Sequence, residues 1–531
     1  MRQSITYIFL FFAAVSFAQK EFHVFPKDGN HVKGSPNGDG SLDKPWDLQT
    51  ALSQSSKRVN GGDIIWLHKG IYNGRYKSTL KSVNENFITV SGFEDDLVIL
   101  NGNIESKVKQ VLEISGNNIV FKNFEVTFLG DYSRSEHDDN FKACTGIHHV
   151  SGVAKFQNLK IYNNPGLGFG SWKNTGGSVI EDCMIYFNGW DGNVRGFGEG
   201  MYVQNNSEEV RVIRNNIIFG NYYKGIEVWS ASSGNKGDFV KNIILSNNII
   251  FNNGVPSGRH WGNVIVATND REAINIARNI KLNNNVLYHN VDLLTHKKLG
   301  NASSLALGFI KQAPVENVEV ANNLIIGQNN GFSIMPAKSL LFKNNIVYTG
   351  YIHLDKTTKP FLETGKLSLA DNIYYTKKNK AFRILKHKDY TLSEWQNTFD
   401  VDKESEWKHL KDFEIKPVLK IQKLSSKPNE FNVALLEKNG NDVTVDFSNY
   451  NIKRNSSFKI YDLENRNKVV KSGTISKNEK ITFPMSLKAF EKPLHNTIAI
   501  KTADNFGVYR IVFEEKKQKR NVFKQFFGWL F

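Results

Sequence analysis

The chain has 531 residues and a formal net charge of +16, from 68 Lys and Arg against 52 Asp and Glu. Its 41 Gly and 37 Phe, against 12 Pro and 5 Met, favour short strands and tight turns over long helices. Two cysteines, Cys144 and Cys183, are too few for a disulfide scaffold, and no Cys/His spacing typical of a metal site occurs. The charge favours a polyanionic partner, and acidic or sulfated polysaccharide is preferred to nucleic acid because no nucleic-acid-binding motif is present.

The N-terminus has the pattern of an export signal. Arg2 is followed by an apolar run over residues 5–12 and then by Ser16, Phe17 and Ala18. This pattern predicts a signal peptide over residues 1–18 that is cleaved near Ala18. No later apolar stretch is long enough to cross a bilayer. We therefore expect a soluble protein that is secreted, periplasmic or held at the cell surface.

Three short elements precede the main repeat. Residues 22–25 (FHVF) predict a first strand, and residues 46–52 (WDLQTAL) predict a short helix. Residues 61–67 (GGDIIWL) predict the first full coil of a solenoid. A helix that covers the open end of such a solenoid would protect its exposed strand edges.

A four-residue motif then recurs along the middle of the chain. It consists of Asn, or once Asp, followed by three mostly apolar residues, at spacings of 22 to 38 residues. Its copies begin at Asn123, Asn158, Asp182, Asn216, Asn248, Asn285, Asn323, Asn345 and Asn372. One coil of a solenoid needs roughly 22 residues, so the longer intervals must carry inserted loops.

The motif predicts an all-β fold, a right-handed parallel β-helix over residues 19–380. Asn tolerates the left-handed backbone needed where a strand turns, and stacked Asn side chains can hydrogen-bond from coil to coil. The apolar residues would fill a continuous core. In this alignment Cys183 is equivalent to Leu159, Ile217 and Ile249, which predicts a buried thiol.

The Asn rhythm stops near residue 380. Residues 381–428 are charged and mixed, which predicts a linker or irregular segment. Residues 429–515 predict a small antiparallel β-sandwich, with strands expected at 442–447, 457–461 and 497–500. The basic and aromatic tail, residues 516–531, is expected to dock on the protein's own surface in preference to a membrane. A monomer is expected.

Two stretches resemble the pectate-lyase-like superfamily of secreted right-handed β-helix proteins. The first is residues 40–52 (GSLDKPWDLQTAL) with 62–67 (GDIIWL); the second is 188–192 (NGWDG) with 198–205 (GEGMYVQN). The resemblance covers roughly residues 20–375 and implies polysaccharide lyase, glycoside hydrolase, epimerase or non-catalytic function. The polygalacturonase and alginate-epimerase signatures are absent, and no subfamily is identified.

Aligning four coils by their glycines gives a candidate site. Gly146, Gly168, Gly200 and Gly225 each begin a strand in this alignment. Strand alternation then places one outward column at His148, Gly170, Tyr202 and Glu227, and a second at Val150, Trp172, Gln204 and Trp229. Such a surface suits carbohydrate, because aromatic rings pack on sugar faces beside titratable groups.

The leading hypothesis is cleavage of an acidic polysaccharide by β-elimination. That reaction needs a cation for the uronate carboxylate, a base for the C5 proton and an acid for the leaving oxygen. His148 or Tyr202 would supply the base or acid. Lys224 or Arg195 would neutralise the carboxylate.

Two alternatives stay open at this stage. Glu199, Glu227 or Asp191 could form the carboxyl pair of a glycoside hydrolase, although alternation from Met201 turns Glu199 inward unless Gly198 and Gly200 bend the strand. The second alternative is a protein without catalytic activity that binds polysaccharide or serves in adhesion. The expected substrate-binding residues in all three cases are Trp172, Gln204, Trp229, Arg259 and His260.

A loop over residues 134–139 (RSEHDD) is a further candidate at the edge of the groove. Its carboxylates make Ca²⁺ the single cofactor that the sequence leaves open. A solvated surface loop is the interpretation that its composition favours.

Overall fold

The computed structural model describes residues 19–29, 32–231, 237–258, 262–297, 301–466, 468–475 and 479–514. The expected signal peptide, the tail at 516–531, and the candidate residues Arg259 and His260 lie outside these ranges. Their predicted roles stay predictions.

Three long sheets run along the described part of the chain, each with twelve strands that pair side by side. The strands are parallel except for β37, which pairs antiparallel with β36 at one end of sheet 3. Sheet 1 contains β1 (Glu21–Val24), β2 (Ile64–Leu67), β5 (Ile88–Gly92), β8 (Ile119–Lys122), β11 (Ala154–Gln157), β14 (Val179–Glu181), β19 (Arg211–Arg214), β22 (Lys241–Ser246), β25 (Arg278–Asn283), β28 (Glu316–Ala321), β31 (Leu340–Lys343) and β34 (Leu367–Ala370). Sheet 2 contains β3 (Gly70–Asn73), β6 (Val98–Asn101), β9 (Glu125–Thr127), β12 (Lys160–Tyr162), β15 (Met184–Tyr186), β20 (Ile217–Phe219), β23 (Ile249–Phe251), β26 (Val286–Tyr288), β29 (Leu324–Ile326), β32 (Ile346–Tyr348), β35 (Ile373–Thr376) and β38 (Glu406–His409). Sheet 3 contains β4 (Tyr76–Ser78), β7 (Gln110–Ile114), β10 (Thr145–Ser151), β13 (Phe169–Asn174), β18 (Met201–Val203), β21 (Ile226–Ala231), β24 (Val264–Asn269), β27 (Leu305–Leu307), β30 (Phe332–Ile334), β33 (Ile352–Leu354), β36 (Phe382–Ile384) and β37 (Lys388–Tyr390).

Successive strands visit the three sheets in turn, so one circuit is one coil and each coil pairs with the next. This is the predicted right-handed parallel β-helix, since a crossover between parallel strands is right-handed in nearly all proteins. Alternate residues of each strand point inward and fill one continuous apolar core. Phe121 and Phe156, for example, stack in adjacent coils with ring centroids 5.7 Å apart.

Asn side chains form a buried ladder at the turn between sheets 1 and 2. Asn216, Asn248 and Asn285 are buried, and each amide nitrogen donates to the amide oxygen of the next coil, at 3.0, 3.0 and 2.9 Å. The ladder continues through Asn323, Asn345 and Asn372. A second ladder, at the turn between sheets 2 and 3, joins Asn164, Asn188, Asn221, Asn253 and Asn263. These ladders satisfy buried polar groups where the chain turns.

The predicted alignment of the motif was wrong by one residue. Its first three copies begin at the corner of the coil, whereas the later copies begin one residue after the corner. Asn123, Asn158 and Asp182 have the left-handed backbone of the corner, with φ of +61°, +52° and +57°. In the later coils the residue before the motif takes that conformation, as Asn215 does at +58°. Cys183 is therefore equivalent to Leu159 and Asn216, although its thiol is buried as predicted. Asn suits both adjacent positions, which is why the motif conceals the shift.

Both ends of the β-helix are covered. Helix α1 (Leu48–Leu52) begins at Asp47, whose carboxylate accepts from the Thr50 backbone N–H, and it buries Leu48, Ala51 and Leu52. At the other end, α3 (Leu392–Phe399) begins with a capping box and buries Trp395 and Phe399. The remaining helical segments are α2 (Lys359–Glu363) and the 3₁₀ turns η1 (Val255–Ser257), η2 (Lys356–Thr358), η3 (Leu410–Asp412) and η4 (Ser448–Tyr450).

The segment expected as a linker, residues 381–428, is structured. It contains β36, β37, α3 and β38, which finish the β-helix, and it ends with the first strand of the next unit. The Asn motif stops here because the last coils pack against helix α3. Trp395 of that helix fills the end of the core, where another coil would otherwise pack.

The C-terminal unit is the predicted β-sandwich. A five-stranded antiparallel sheet faces a two-stranded one around a core of its own. The larger sheet contains β39 (Val418–Lys423), β40 (Glu430–Leu436), β45 (Phe506–Glu514), β42 (Ser457–Asp462) and β43 (Val469–Thr474); the smaller contains β41 (Val443–Asp446) and β44 (Lys480–Phe483). The expected strand at 497–500 is not formed, and those residues belong to an irregular segment between β44 and β45.

The sandwich packs on the outer face of sheet 2. Tyr162, Tyr186, Phe219 and Phe251 stack along that face at centroid distances of 5.1, 5.0 and 4.8 Å. Phe506 of the sandwich continues the stack against Tyr288 at 4.1 Å and joins the same apolar cluster. Sheet 2 is thereby covered. No helix in the described residues is long and apolar enough to cross a membrane.

Candidate active site on sheet 3

The outer face of sheet 3 carries the predicted column of side chains. Backbone pairing places His148 beside Gly170, Gly170 beside Tyr202, and Tyr202 beside Glu227 in successive coils. The glycine alignment therefore gives the correct register for this column. The same register extends it one coil further, to Glu113 beside His148.

The second column is only partly formed. A bulge between His149 and Ser151 pairs Ser151 with Asn174, so Val150 does not lie beside Trp172. Trp172 instead contacts the first column, with its ring 5.2 Å from Tyr202 and 5.5 Å from His148. Gly170 lies beneath it, and a Cβ there would be 3.2 Å from the Trp172 Nε1. A small residue is needed at this position for the indole to lie flat over the strand.

Two glutamates meet at the centre of this face. Glu227 lies on β21, and Glu199 lies just before β18 in the run Gly198-Glu199-Gly200. Gly198 has φ of +88°, which bends the chain away from strand alternation. The bend brings the Glu199 carboxyl into hydrogen-bonding contact with Glu227 instead of into the core. Both side chains are more than nine-tenths buried.

The two carboxyl groups have different protonation preferences. Burial, the Glu227 charge and the hydrogen bond to Glu227 raise the pKa of Glu199 to about 8, against the lowering effect of Lys224. The Lys224 Nζ lies in direct contact with the Glu227 Oε1 and forms a salt bridge with that side chain. At neutral pH Glu199 therefore keeps its proton beside a Glu227 that is paired with Lys224.

Tyr202 is protonated at neutral pH. Burial and the charges of Glu227 and Glu199 raise the pKa of its phenol well above the ordinary value. His148 is held neutral, because burial lowers its pKa against the opposing effect of Glu113. Its Nδ1 lies 3.7 Å from the Glu113 carboxylate, which in turn bonds Lys77 at 2.8 Å.

The proposed cations differ in their surroundings. Lys224 is occupied by Glu227, and its Nζ also lies 3.6 Å from the centre of the Tyr223 ring. Arg195 lies on the hairpin of β16 (Trp190–Asp191) and β17 (Gly196–Phe197), stacked over Tyr223 at 3.9 Å and Phe197 at 4.3 Å. No ion pair to Arg195 is formed within the described residues. Of the two proposed cations, Arg195 is therefore the one that no carboxylate of the described residues neutralises.

Asp191 is held by its backbone on the hairpin. Its backbone N–H donates to the Arg134 carbonyl, and its carbonyl accepts from Glu136, which ties the hairpin to the loop at 134–139. Arg134 is buried and holds the Phe187 and Gly189 carbonyls, so it is structural. Among the described residues, no group of three or more His, Cys, Asp or Glu is arranged to hold a metal ion. The Ca²⁺ prediction for this loop has no support beyond its composition.

An aromatic platform lies further along the same face. Trp229 is two residues beyond Glu227 on β21, and Phe309 packs edge-on against it with centroids 5.0 Å apart. Phe309 is 49% exposed, which is unusual for this residue type. Gln204 lies below, with its amide nitrogen 3.3 Å from the Trp229 carbonyl. Sheet 3 thus presents stacking surface beside the glutamate pair.

The sequence interpretation missed three of these residues. Glu113 belongs to a coil without the glycine used for alignment, so its position followed only from the backbone pairing. Phe309 directly follows Gly308, and an aromatic residue in that position could have indicated an exposed ring. Tyr223 is adjacent to Lys224, and only the fold brings it against Arg195.

The sequence matches no family model and no curated protein. Among solved structures it is similar to XylC in complex with xylose, at 10% identity over 92% of this chain and 100% of that one, with a TM-score of 0.43. It is also similar to pectate lyase Pel9A, at 14% identity over 62% and 79% of the two chains, with a TM-score of 0.37. The A-module of the Azotobacter vinelandii mannuronan C-5 epimerase AlgE6 matches at 14% identity over 64% and 86%, with a TM-score of 0.43. The likeness is one of fold alone: the three long sheets of the chain form a parallel β-helix.

Proposed function

We propose that this protein is a carbohydrate-active enzyme that hydrolyses glycosidic bonds of a polysaccharide on the outer face of sheet 3. The observation that carries the proposal is the hydrogen-bonding contact between Glu199, which keeps its proton at neutral pH, and Glu227, which is paired with Lys224. Paired carboxyls with separate acid and base roles are the usual machinery of glycoside hydrolysis.

The mechanism assigns one role to each glutamate. Glu199 donates its proton to the glycosidic oxygen as the C1–O bond breaks, and the leaving sugar departs as an alcohol. The Glu227 carboxylate forms a bond to C1. Water then gives a proton to Glu199 and attacks C1, which releases Glu227 as a carboxylate.

The separation of the carboxyls supports this double displacement. Inverting enzymes hold their carboxyls roughly 6.5–9.5 Å apart to admit a water, whereas retaining enzymes hold them at about 5 Å. Glu199 and Glu227 share a hydrogen bond, which is closer than either spacing and leaves no place for a water between the two carboxyls, so the shorter arrangement is the nearer match. Retention of the anomeric configuration follows from this mechanism.

The surrounding groups would position the sugar chain. Trp229 and Phe309 offer a stacking face roughly 7 Å along the strand from Glu227, two residues at the usual rise. The Tyr202 phenol is a donor for a sugar hydroxyl. The net charge of +16 and the guanidinium of Arg195 favour a chain that carries carboxylate or sulfate groups.

β-Elimination from a uronic acid is the second candidate, and Arg195 and His148 are the observations in its favour. Arg195 has no carboxylate partner in the described region, and a neutral His148 is able to accept a proton. The salt bridge of Lys224 with Glu227 counts against it, because it occupies one of the two cations that elimination was expected to use, whereas the protonated Tyr202 could act only as the acid.

One experiment separates these functions. The purified protein is incubated with alginate, pectate, chondroitin sulfate and neutral xylan while reducing ends and the ultraviolet absorbance of unsaturated uronates are followed. Hydrolysis predicts new reducing ends without that absorbance, and NMR of the first product would show retained anomeric configuration. Absorbance that rises with the reducing ends would establish elimination instead. Retardation of the protein in polysaccharide-containing gels without any product would overturn both.

A further inference from the structure

A long irregular segment of the sandwich lies across the β-helix beside the proposed site. It comprises residues 484–505, between β44 and β45, and is called here the strap. Its middle runs over the turns that join sheet 2 to sheet 3. Those turns also carry Glu199, Arg195 and Lys224.

The strap is fastened first to the loop next to the hairpin of Arg195. The Arg134 Nε donates to the Leu494 carbonyl at 2.9 Å, and the Leu494 N–H donates to the Asn163 side chain at 3.1 Å. The ring of His495 packs edge-on against Tyr132, with centroids 4.6 Å apart. These contacts join residues far apart in the chain.

Asn496 makes the contacts that lead to the site. Its amide nitrogen donates to the Tyr222 hydroxyl at 2.8 Å and to the Pro256 carbonyl at 2.8 Å. Tyr222 is buried and directly precedes Tyr223 and Lys224. The strap therefore holds the turn from which the Lys224 ammonium reaches Glu227.

Tyr222 also supports the hairpin of β16 and β17. Its N–H donates to the Asn188 carbonyl at 2.8 Å, and the Arg134 guanidinium lies 4.9 Å above its ring. A Cβ added at Gly196 would lie 1.9 Å from the Tyr222 carbonyl oxygen, so the hairpin backbone rests directly on this residue. A shift of Tyr222 would move the turns that carry Arg195 and Lys224 together.

We propose that the strap is a positioning element for the active site, with Asn496 as the residue that fixes Tyr222 and through it Lys224 and the hairpin of Arg195. The inference rests on the proposed function, because it assigns the C-terminal sandwich a part in that reaction. The sandwich then acts through its packing on the β-helix and does not contact the substrate.

The test compares two variants of the full-length protein. Asn496→Ala removes the two hydrogen bonds donated to Tyr222 and Pro256 and the two accepted from Ile498 and Ala499. Asn505→Ala removes two bonds, with Tyr288 and Val291, further along the strap. We expect N496A to lower kcat about tenfold, since small misplacements of catalytic groups are costly, and N505A to stay within about twofold. The alkaline limb of the pH profile should move to higher pH in N496A alone, because a loosened Lys224 lowers the pKa of Glu199 less.

Hydrogen exchange of the same proteins gives a readout that does not depend on activity. N496A should speed exchange of backbone amides in residues 187–200 and 220–225, and N505A should leave those amides unchanged. If the alanine variant does not fold, Asn496→Asp replaces it in the test. The aspartate keeps the oxygen that accepts from Ile498 and Ala499 but lacks the amide nitrogen that donates to Tyr222 and Pro256. Equal exchange and equal kcat in N496A and N505A would overturn the proposal. If the wild type cleaves no polysaccharide, the proposed function fails, and the exchange data alone decide whether the strap positions these turns.

Discussion

At the scale of single residues, the proposed chemistry depends on how one glycine directs one glutamate. Strict alternation from Met201 turns Glu199 into the core, and the left-handed Gly198 redirects it to Glu227. A buried carboxyl beside a second carboxyl keeps its proton because two like charges in a site of low polarity repel. This arrangement gives an acid and a base from two identical side chains.

The raised pKa of Glu199 predicts a pH dependence of stability. The folded protein retains this proton above the usual pKa of 4.5, so stability attributable to Glu199 falls as the pH rises from about 4.5 to about 8. In Glu199→Gln that contribution is absent. Guanidinium titration at several pH values measures the unfolding free energies of the variant and the wild type. As the pH rises through this window, the wild type should lose stability relative to the variant. A difference that stays constant from pH 4.5 to 8 would show that Glu199 titrates normally.

The aromatic platform predicts a change in substrate binding. Trp229→Ala or Phe309→Ala should raise KM for a polysaccharide about tenfold with little change in kcat, because the rings bury apolar area against the sugar. The matched control is Tyr351→Ala, which removes a partly buried ring near Arg383, at a different position on the β-helix. Steady-state kinetics of the three variants make the comparison. An unchanged KM in both platform variants would remove these rings from the site.

At the scale of elements, the Asn ladders determine how coils stack. The Asn248 side chain accepts from the Asn216 side chain and backbone and donates to Ile213 and Asn285, all in a buried turn. Asn206, in contrast, makes one side-chain bond, to Asn174, at the surface.

Substituting the two asparagines should thus have unequal costs. Asn248→Ala leaves several buried groups without partners and should lower the unfolding free energy by about 3 kcal/mol. Asn206→Ala should cost under about 0.5 kcal/mol. The midpoints of guanidinium unfolding test this. Equal midpoints for the two variants would mean that the ladder contributes no stability.

The coils and turns also show which features of the structure can be predicted from the sequence and which cannot. The repeated Asn motif predicts the β-helix because each coil repeats the same turn chemistry, and the glycine alignment predicts the column from His148 to Glu227. The motif does not reveal which of two adjacent positions is the corner, since Asn suits both. The inward or outward direction of Glu199 depends on the backbone at Gly198, and the strap depends on contacts such as Asn496 with Tyr222. Neither follows from local pattern.

At the scale of the whole molecule, the two units have separate cores and share the apolar face of sheet 2. That face is covered by the sandwich, which leaves sheet 3 as the face where aromatic rings and titratable groups meet. The chain has a formal net charge of +16, while the main ion pairs of the site are already matched, Lys77 with Glu113 and Lys224 with Glu227. The net charge would therefore act on encounter and binding and not on the bond-breaking step.

Salt should separate these contributions. For an acidic polysaccharide, KM should rise about tenfold between roughly 0.05 and 0.5 M NaCl, because screening shortens the reach of the positive charge, while kcat changes little. KM for a neutral polysaccharide is the control and should stay constant. A salt-independent KM for every acidic substrate would show that the charge of +16 does not guide binding.

The central claim, that Glu199 and Glu227 break the glycosidic bond, is tested most directly by the kcat of three glutamine variants on one polysaccharide substrate. Glu199→Gln and Glu227→Gln should each lower kcat about 10²- to 10⁴-fold, whereas Glu319→Gln, which breaks a Lys281 ion pair on sheet 1, should keep the wild-type rate. Wild-type kcat in both site variants would contradict the account.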